Sequence, residues 1–426
     1  MSQMLLEARA PAMQRSVTPP MWRLTGARVA TGAATAIITD LVILNGRIHH
    51  VPAGDRLERE TGQLGSPLSV QAVDLTGYLI LPGLVNAHDH LEFGLFPRLG
   101  RGPYQNFLEW AADIYYPHRS PVKEQLSIPK SVRLWWGAVR NLLCGVTTVS
   151  HHNPQIPCGF RAGLPVRVVT RYTWVHSPAL GKNVTETFCS TPADTPFIIH
   201  AAEGVDEQSR AEIFWLDQVG ALDPKTVIVH GVGMDRAGHE LLERRGSALV
   251  WCPTSNQFLL GTTLSLDSVR QHRRIALASD SALTAAGDLV DEIRFARDRL
   301  QATAEEAYAM VTNRAADVLR LARGEGTLAE GAVADLIVIA DDGGRPCDSL
   351  SAMTLGRLEL VMVGGEIKLL SPSLARRRFN EVSANLERLQ IDGLDRLVAA
   401  PVRNLLNAAR KHLGKEIHLA GKRVGV

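Results

Sequence analysis

The spacing of apolar residues divides the chain into three regimes. From Trp22 to Val73 they come in short runs, Ala36-Ile37-Ile38, Leu41-Val42-Ile43-Leu44 and Gly46-Arg47-Ile48, separated by polar residues and glycine. That is strand-and-turn sequence without a helical period. From Leu79 to Leu321 strand-like runs alternate with helix-like ones. Leu79-Ile80-Leu81-Pro82-Gly83-Leu84-Val85-Asn86-Ala87 reads as one buried strand ending in His88-Asp89-His90. Further strands are predicted over 146–150, 166–172, 197–200, 226–230, 248–251 and 275–279. Between them lies a helix with Leu134, Trp135, Ala138, Val139 and Leu142 on one face, stopped by Gly145. Helices over 206–219 and 235–245 are closed by Gly220 and Gly246. Two more are predicted over 289–300 and 303–321. From Gly326 the β character returns, with strands over 334–339 and 358–363 and Gly364-Gly365 as a hairpin turn. After Ser371, Val402, Leu405, Leu406, Ala409 and Leu413 form an amphipathic helical stripe.

Strand, loop, helix, repeated, predicts parallel βα units. The expected fold is α/β: a (β/α)8 TIM-type barrel over 79–324. The span between Tyr172 and Phe197 is short, so distortion is expected around strands three and four, with the fourth abbreviated or absent. Residues 22–78 and 325–370 are expected to pair in a small flanking β-sandwich built from both chain ends. Residues 1–21, with Pro11 and Pro19-Pro20, read as a loose leader, and 371–426 as a helical basic tail. That tail would pack on the barrel, the plain choice, or mediate oligomers, or lie on an acidic partner or membrane surface.

Charge and cysteine content narrow the function classes. The chain of 426 residues has a net charge of +2. After Ser371 there are eleven Lys/Arg against five Asp/Glu, and before it thirty-five against thirty-nine. The body therefore shows no nucleic-acid footprint. Five cysteines without a Cys-x-x-Cys pair fit free thiols in a reducing compartment and argue against a sulfur metal site. No uncharged apolar run reaches roughly 18 residues, so no membrane span is expected. A cytoplasmic enzyme with a small-molecule substrate, able to form a homo-oligomer, fits these totals.

The candidate chemistry sits at strand ends. His88 and His90 are two residues apart on a strand, so their side chains share a face. His200, His230 and Asp280 end later strands. In a (β/α)8 barrel those ends converge on one mouth, where catalytic groups lie. His88, His90, His200 and Asp280 offer a nitrogen and oxygen donor set that would suit zinc, and iron or manganese would also fit because no thiolate selects among them. Such an ion lowers the pKa of a bound water from about 15.7 towards about 7. Glu203, three residues after His200, is placed to take a proton from that water and pass it to a leaving nitrogen. His230 is either a further ligand or a donor to the substrate. Each residue also has a plain alternative: a solvated glutamate, a core histidine, or an aspartate capping a helix. The segment 91–122 is rich in aromatics, including Phe93, Phe96, Phe107, Trp110, Tyr115 and Tyr116; loops of this length inside compact domains are usually functional or disordered, and this one is too aromatic for disorder.

With these residues in place the chain resembles the amidohydrolase superfamily. The likeness is greatest to the branch of the S-adenosylhomocysteine/methylthioadenosine deaminases and chlorotriazine hydrolases, and it runs from about Ala27 to Leu370. Pro82-Gly83-Leu84-Val85-Asn86-Ala87-His88-Asp89-His90 is similar to that family's first-strand metal motif. Asn106-Phe107-Leu108-Glu109-Trp110 with Tyr116-Pro117 is similar to its first-loop substrate segment, and Gly145-Val146-Thr147-Thr148-Val149 to its second strand. His200-Ala201-Ala202-Glu203, Val229-His230-Gly231, Pro253-Thr254-Ser255-Asn256 and Ser279-Asp280-Ser281 resemble its later site motifs. The resemblance implies one metal on His88, His90, His200 and Asp280. It implies Glu203 as proton shuttle, His230 as a contact to water or substrate, and Asp280 assisting deprotonation. Trp110, Tyr116, His152, His176 and Asn256 are the expected substrate-side residues. No lysine follows an apolar strand to suggest a carbamate-bridged binuclear site. Gly231 stands where the deaminases usually carry cysteine. Trp251-Cys252-Pro253, Ser281-Ala282 and His151-His152 also depart from the pattern. These departures bear on the substrate. Three readings follow: hydrolytic deamination of an amino-substituted heterocycle, hydrolysis of a cyclic amide, imidate or aryl chloride by the same machinery, or a catalytically inactive barrel serving as a binding or scaffold protein.

Overall fold

Eight strands run parallel and in chain order: β1 Leu84–Asp89, β2 Val146–His151, β3 Arg167–Val168, β4 Thr173–Val175, β5 Phe197–Ala201, β6 Thr226–His230, β7 Ala248–Trp251 and β8 Ile275–Leu277. They belong to a computed structural model that describes residues 21–51, 70–379 and 384–426. The expected leader lies outside the described residues apart from Met21. The strands form two sheets, β1 to β3 and β4 to β8, each strand paired in parallel with its neighbour in sequence. One backbone bond, Asp280 N–H to His88 O at 3.1 Å, joins the end of β8 to the end of β1. Among the described residues no ladder joins β3 to β4. Strands β1, β2, β5, β6, β7 and β8 are buried at every position. A parallel sheet covered on both faces requires this, and it explains runs such as Thr226-Val227-Ile228-Val229.

The helices that matter for the site are α1 Phe107–Ile114, α2 Lys130–Leu142, α3 Glu207–Gln218, α4 Pro253–Leu260, α5 Leu289–Asp298 and α6 Val402–Leu413. The stripe expected in α6 is its buried face, and it packs against α2 and the helix Val122–Ser127.

The single strand expected over 79–90 is instead two. Tyr78–Pro82 pairs antiparallel with Leu336–Ala340 in a ten-stranded sheet, and only Leu84–Asp89 joins the parallel set. The partner changes within one residue: Gly83 N–H donates to Asp335 O at 2.9 Å, and Leu84 N–H to Gly145 O at 3.0 Å. Pro82 has no N–H to continue a ladder. A Cβ at Gly83 would meet the Thr147 side chain at 2.3 Å, so only glycine permits this approach to β2.

Three other expectations change. The strand expected over 166–172 shrinks to Arg167–Val168, and the fourth strand is present as three residues. The helix expected over 303–321 splits into Ala304–Met310 and Asn313–Val318. There the Val311 carbonyl accepts from Val85 N–H at 2.8 Å, and the Thr312 hydroxyl donates to Tyr308 O at 2.6 Å. The tail is helical only in part. Glu387–Ile391, Leu394–Val398, Ile417–Leu419 and Lys422–Gly425 extend the ten-stranded sheet. The unread signal was Asp392-Gly393, a two-residue turn with φ of 48° and 84° between alternating runs.

The ten-stranded sheet joins strands from both chain ends, and the hairpin expected at Gly364-Gly365 is part of it. A second sheet holds Met21–Thr25, Asp40–Leu44, Arg47–Val51 and Val70–Asp74. Trp22, Ile43 and Ile48 from this sheet share an apolar cluster with Ile80, Val338 and Leu360 from the larger one. Among the described residues no helix is long and apolar enough to cross a membrane.

One buried pair outside the site predicts how stability varies with pH. His239 Nδ1 lies 2.9 Å from His272 Nε2, and both rings are buried. Burial, then the neighbouring His239, lowers His272 from 6.5 to about 4. The unfolded chain therefore binds this proton more readily than the folded one. Stability is complete above pH 6.5, falls as the pH drops from 6.5, and stops falling on this account near 4. Between pH 6.5 and 5 the pair is expected to cost roughly 1–2 kcal/mol. Thermal unfolding of His272→Gln against wild type over that range checks it: the variant should have the flatter profile.

Candidate active site

The C-terminal ends of β1, β5, β6 and β8 bring four imidazoles and a carboxylate together. His88 and His90 flank Asp89 at the end of β1, with ring centroids 4.9 Å apart. His88 Nε2 lies 3.1 Å from His200 Nε2 and 3.5 Å from Asp280 Oδ1, and His90 Nε2 lies 3.6 Å from the same oxygen. Two overlapping groups have their ligand atoms within 4.8 Å of one another: His88, His200 and His230, and His88, His90 and Asp280. Three non-glycine residues here take left-handed backbone, Ala202 (φ 52°), His230 (φ 77°) and Asp280 (φ 55°). Strain of this kind costs about 1–3 kcal/mol per residue and gathers where geometry serves function.

The donor set fits a cation. Burial lowers His88 to about 4 and takes His200 well below its ordinary value, so both imidazoles are neutral. Nδ1 of His200 faces the His176 carbonyl at 2.9 Å and donates to it, which leaves the lone pair on Nε2. Burial pushes Asp280 up, but the His88 imidazole, His230 and His90 outweigh it and hold the carboxyl well below its usual range. Imidazole nitrogens and a carboxylate are the donors that zinc, iron or manganese take.

Glu203 and His230 stand beside this group, Glu203 Oε1 3.5 Å from His230 Nε2. Burial, then the carboxylates of Asp280 and Glu212, raises Glu203 well above its ordinary value. Its turn is fixed from behind: the Ala202 N–H donates to Glu212 Oε2 at 2.8 Å. His230 Nδ1 lies 2.8 Å from Asn256 Oδ1, so Nδ1 carries the proton and Nε2 faces Glu203. Gly231 follows at φ 68°, and a Cβ there would lie 2.6 Å from Met234 Cε and 3.0 Å from Leu249 Cδ1. Crowding and backbone together account for glycine in place of the cysteine that the resemblance leads one to expect.

A buried polar layer supports the ligands from outside. Asn141 Nδ2 donates to Asp89 Oδ2 at 2.7 Å, and Asn86 Nδ2 donates to Asn141 Oδ1 at 2.9 Å and Ser279 Oγ at 2.8 Å. Arg140, 2% exposed, lies 3.7 Å from Asp89 Oδ1 and donates to the Asp280 carbonyl at 3.3 Å. Sequence reading missed this layer. Asn86 and Asp89 lie within the motif, but Arg140 and Asn141 look like ordinary positions on an amphipathic helix.

The aromatic segment lies over the Glu203 turn. Phe107 N–H donates to Glu203 O at 3.1 Å, Val205 N–H to Gln105 O at 2.7 Å, and Tyr104 N–H to Leu259 O at 2.8 Å. Phe107, not singled out as a substrate contact, packs its ring 5.6 Å from His176. His152 is buried, its ring 4.2 Å from His200 and 5.0 Å from both His88 and Trp174, and among the described residues neither ring nitrogen has a partner. Two expected substrate residues have partners of their own: Trp110 donates its indole N–H to Leu99 O at 2.8 Å, and Tyr116 is 44% exposed under Arg119. The Asn256 amide is engaged at both ends, by His230 and by Thr263.

Comparisons with known proteins show what the chain is similar to. A model of the amidohydrolase family matches residues 183–368. The 5-methylthioadenosine/S-adenosylhomocysteine deaminase of Halobacterium salinarum is 27% identical over 357 residues, which cover 68% of this chain and 81% of that protein. The 8-oxoguanine deaminase of Pseudomonas aeruginosa is 26% identical over 392 residues, covering 71% and 85%. Among solved structures, an adenosine deaminase from Xanthomonas campestris with bound zinc has a TM-score of 0.65 at 16% identity, covering 92% of this chain and 98% of that one. Atrazine chlorohydrolase TrzN from Arthrobacter aurescens, complexed with zinc, has a TM-score of 0.63 at 17% identity, covering 82% and 95%. At these identities the solved structures show a shared fold.

Proposed function

We propose that the chain is a hydrolytic enzyme of amidohydrolase type acting on carbon–nitrogen bonds, and that it deaminates an amino-substituted heterocycle at a mononuclear metal centre. The observation that carries this reading is the convergence of His88, His90, His200, His230 and Asp280 beside a buried Glu203 whose proton affinity is raised. We read the eight parallel strands as a (β/α)8 barrel whose seam is interrupted between β3 and β4. The strands at both chain ends are read as its flanking sandwich.

His88, His90, His200 and Asp280 would hold one divalent ion, zinc first. Bound there, it supplies Lewis acidity that brings loss of a water proton into the neutral pH range. Glu203 receives that proton on a carboxylate oxygen and delivers it to the departing amino nitrogen. Its raised proton affinity suits both steps, because a shuttle must hold the proton between them. His230, its Nδ1–H fixed by Asn256, directs Nε2 at the reacting side of Glu203. His152 and His176 offer unpartnered ring nitrogens to the polar edge of a substrate. Phe107 and Trp174 supply flat apolar surface beside those two rings. The net reaction exchanges an amino group for the hydroxyl of water and releases ammonia.

The test is a panel of amino-substituted purines, pyrimidines, pterins and triazines given to the metal-loaded full chain, with product mass analysis. Ammonia formed in step with a hydroxylated product is the expected result. Silence across the panel overturns the reading. Products that gain a whole water, or that lose chloride, move the assignment to ring opening or dehalogenation.

A further inference from the structure

Three consecutive side chains at the start of α4 reach three different groups of the centre and its support. Thr254 donates its hydroxyl and its N–H to the carboxyl of Glu292 on α5, the N–H at 2.9 Å. Ser255 Oγ donates to Asp280 Oδ2 at 2.6 Å. Asn256 Oδ1 faces His230 Nδ1 at 2.8 Å. All four of Thr254, Ser255, Asn256 and Glu292 are buried, with Glu292 at 0% exposure.

We propose that this turn is a single positioning element, anchored on Glu292, that sets how Asp280 presents itself to the metal and His230 to Glu203. The inference rests on the metal-centre reading given above. Its logic lies in which atoms are left free. Asp280 Oδ2 is occupied twice, by Ser255 and by the Thr284 hydroxyl at 3.2 Å, and those two hydroxyls lie 2.7 Å apart. Oδ1 receives only its own neighbour's N–H, from Ser281 at 2.6 Å, and it is the oxygen that faces His88 and His90. Ser255 thus reserves Oδ2 and turns Oδ1 inward, so Asp280 acts as a one-oxygen ligand. Asn256 does the equivalent for His230 by accepting at Nδ1 and leaving the Nε2 lone pair inward. Outer partners of this kind orient ligands and tune their basicity. Because the residues are adjacent on one helical turn, any shift of α4 moves both presentations together. Glu292 opposes that shift, helped by the Ala286 N–H, which donates to Thr254 Oγ1 at 2.9 Å.

The experiment measures zinc dissociation against a competing chelator for the wild-type full chain, Ser255→Ala and Ser255→Thr. The unfolding midpoints of the three metal-free proteins are measured alongside. Ser255→Ala is expected to hold zinc about 10–100-fold more weakly. Ser255→Thr, which keeps the hydroxyl, should recover most of that loss, and the metal-free midpoints should stay together. Wild-type retention in Ser255→Ala, no rescue by threonine, or a zinc loss matched by a fall in the metal-free midpoint would each overturn the positioning role. A wild-type chain that holds no zinc would instead overturn the metal-centre reading itself.

Discussion

Glu203→Gln is expected to lower kcat by about 10²–10⁴-fold, the usual contribution of a positioned proton-transfer group. Zinc content and KM should change little. The amide is close in shape to the carboxyl, so the bond from Phe107 N–H to the Glu203 carbonyl and the packing of the turn survive. What disappears is the ability to accept a proton and return it. The carboxyl is buried, 8% exposed, and its burial together with Asp280 and Glu212 favours the protonated form. A glutamate serving only the fold would be indifferent to the change or would lose stability. Parallel measurement of kcat, KM, zinc content and unfolding midpoint separates these cases. A kcat within a few-fold of wild type removes Glu203 from the chemistry.

The second large effect is loss of the centre itself. His88 is the one residue common to both metal-competent groups, and its Nε2 approaches both His200 and Asp280. His88→Ala is expected to abolish zinc retention and to reduce turnover beyond the about 100-fold that loss of an outer partner costs. Added zinc should restore little, because His90, His200 and Asp280 would remain without the central nitrogen that approaches both His200 and Asp280. Fold should persist: the ring of His88 contributes to the site, while β1 is held by its ladder to β2 and by Val311. Circular dichroism and zinc analysis of the purified variant check this. A variant that keeps both zinc and turnover contradicts the ligand assignment.

Much of this was legible in the chain because period and position coincide. Each imidazole of the centre follows an apolar run that the barrel pattern places at a strand's end, so local sequence carried its approximate location. Asp280 was legible for the same reason, three residues past Ile275–Leu277. What stayed hidden depends on contacts distant in sequence. Arg140 on α2 reaches Asp89 and Asp280, and nothing within a few residues distinguishes it from a surface arginine. Asn256 is expected as a substrate contact because its motif resembles the family's substrate-side loop, and its amide turns back to His230 across 26 residues. The break at Gly83 was missed because an unbroken apolar run looks the same whether it feeds one sheet or two. Only the approach of Thr147 and the change of partner from Asp335 to Gly145 reveal the switch. The strands of the tail failed for a nearer reason: the stripe of α6 dominated the reading, and the Asp392-Gly393 turn beside it went unused.

The most direct test of the mononuclear centre is the metal content of the purified full chain at neutral pH, by elemental analysis against protein concentration. The account predicts a single divalent ion per chain, zinc or a metal that zinc replaces, lost together with activity on chelation and regained with it. A content well below that with turnover intact, or two ions per chain, would contradict it.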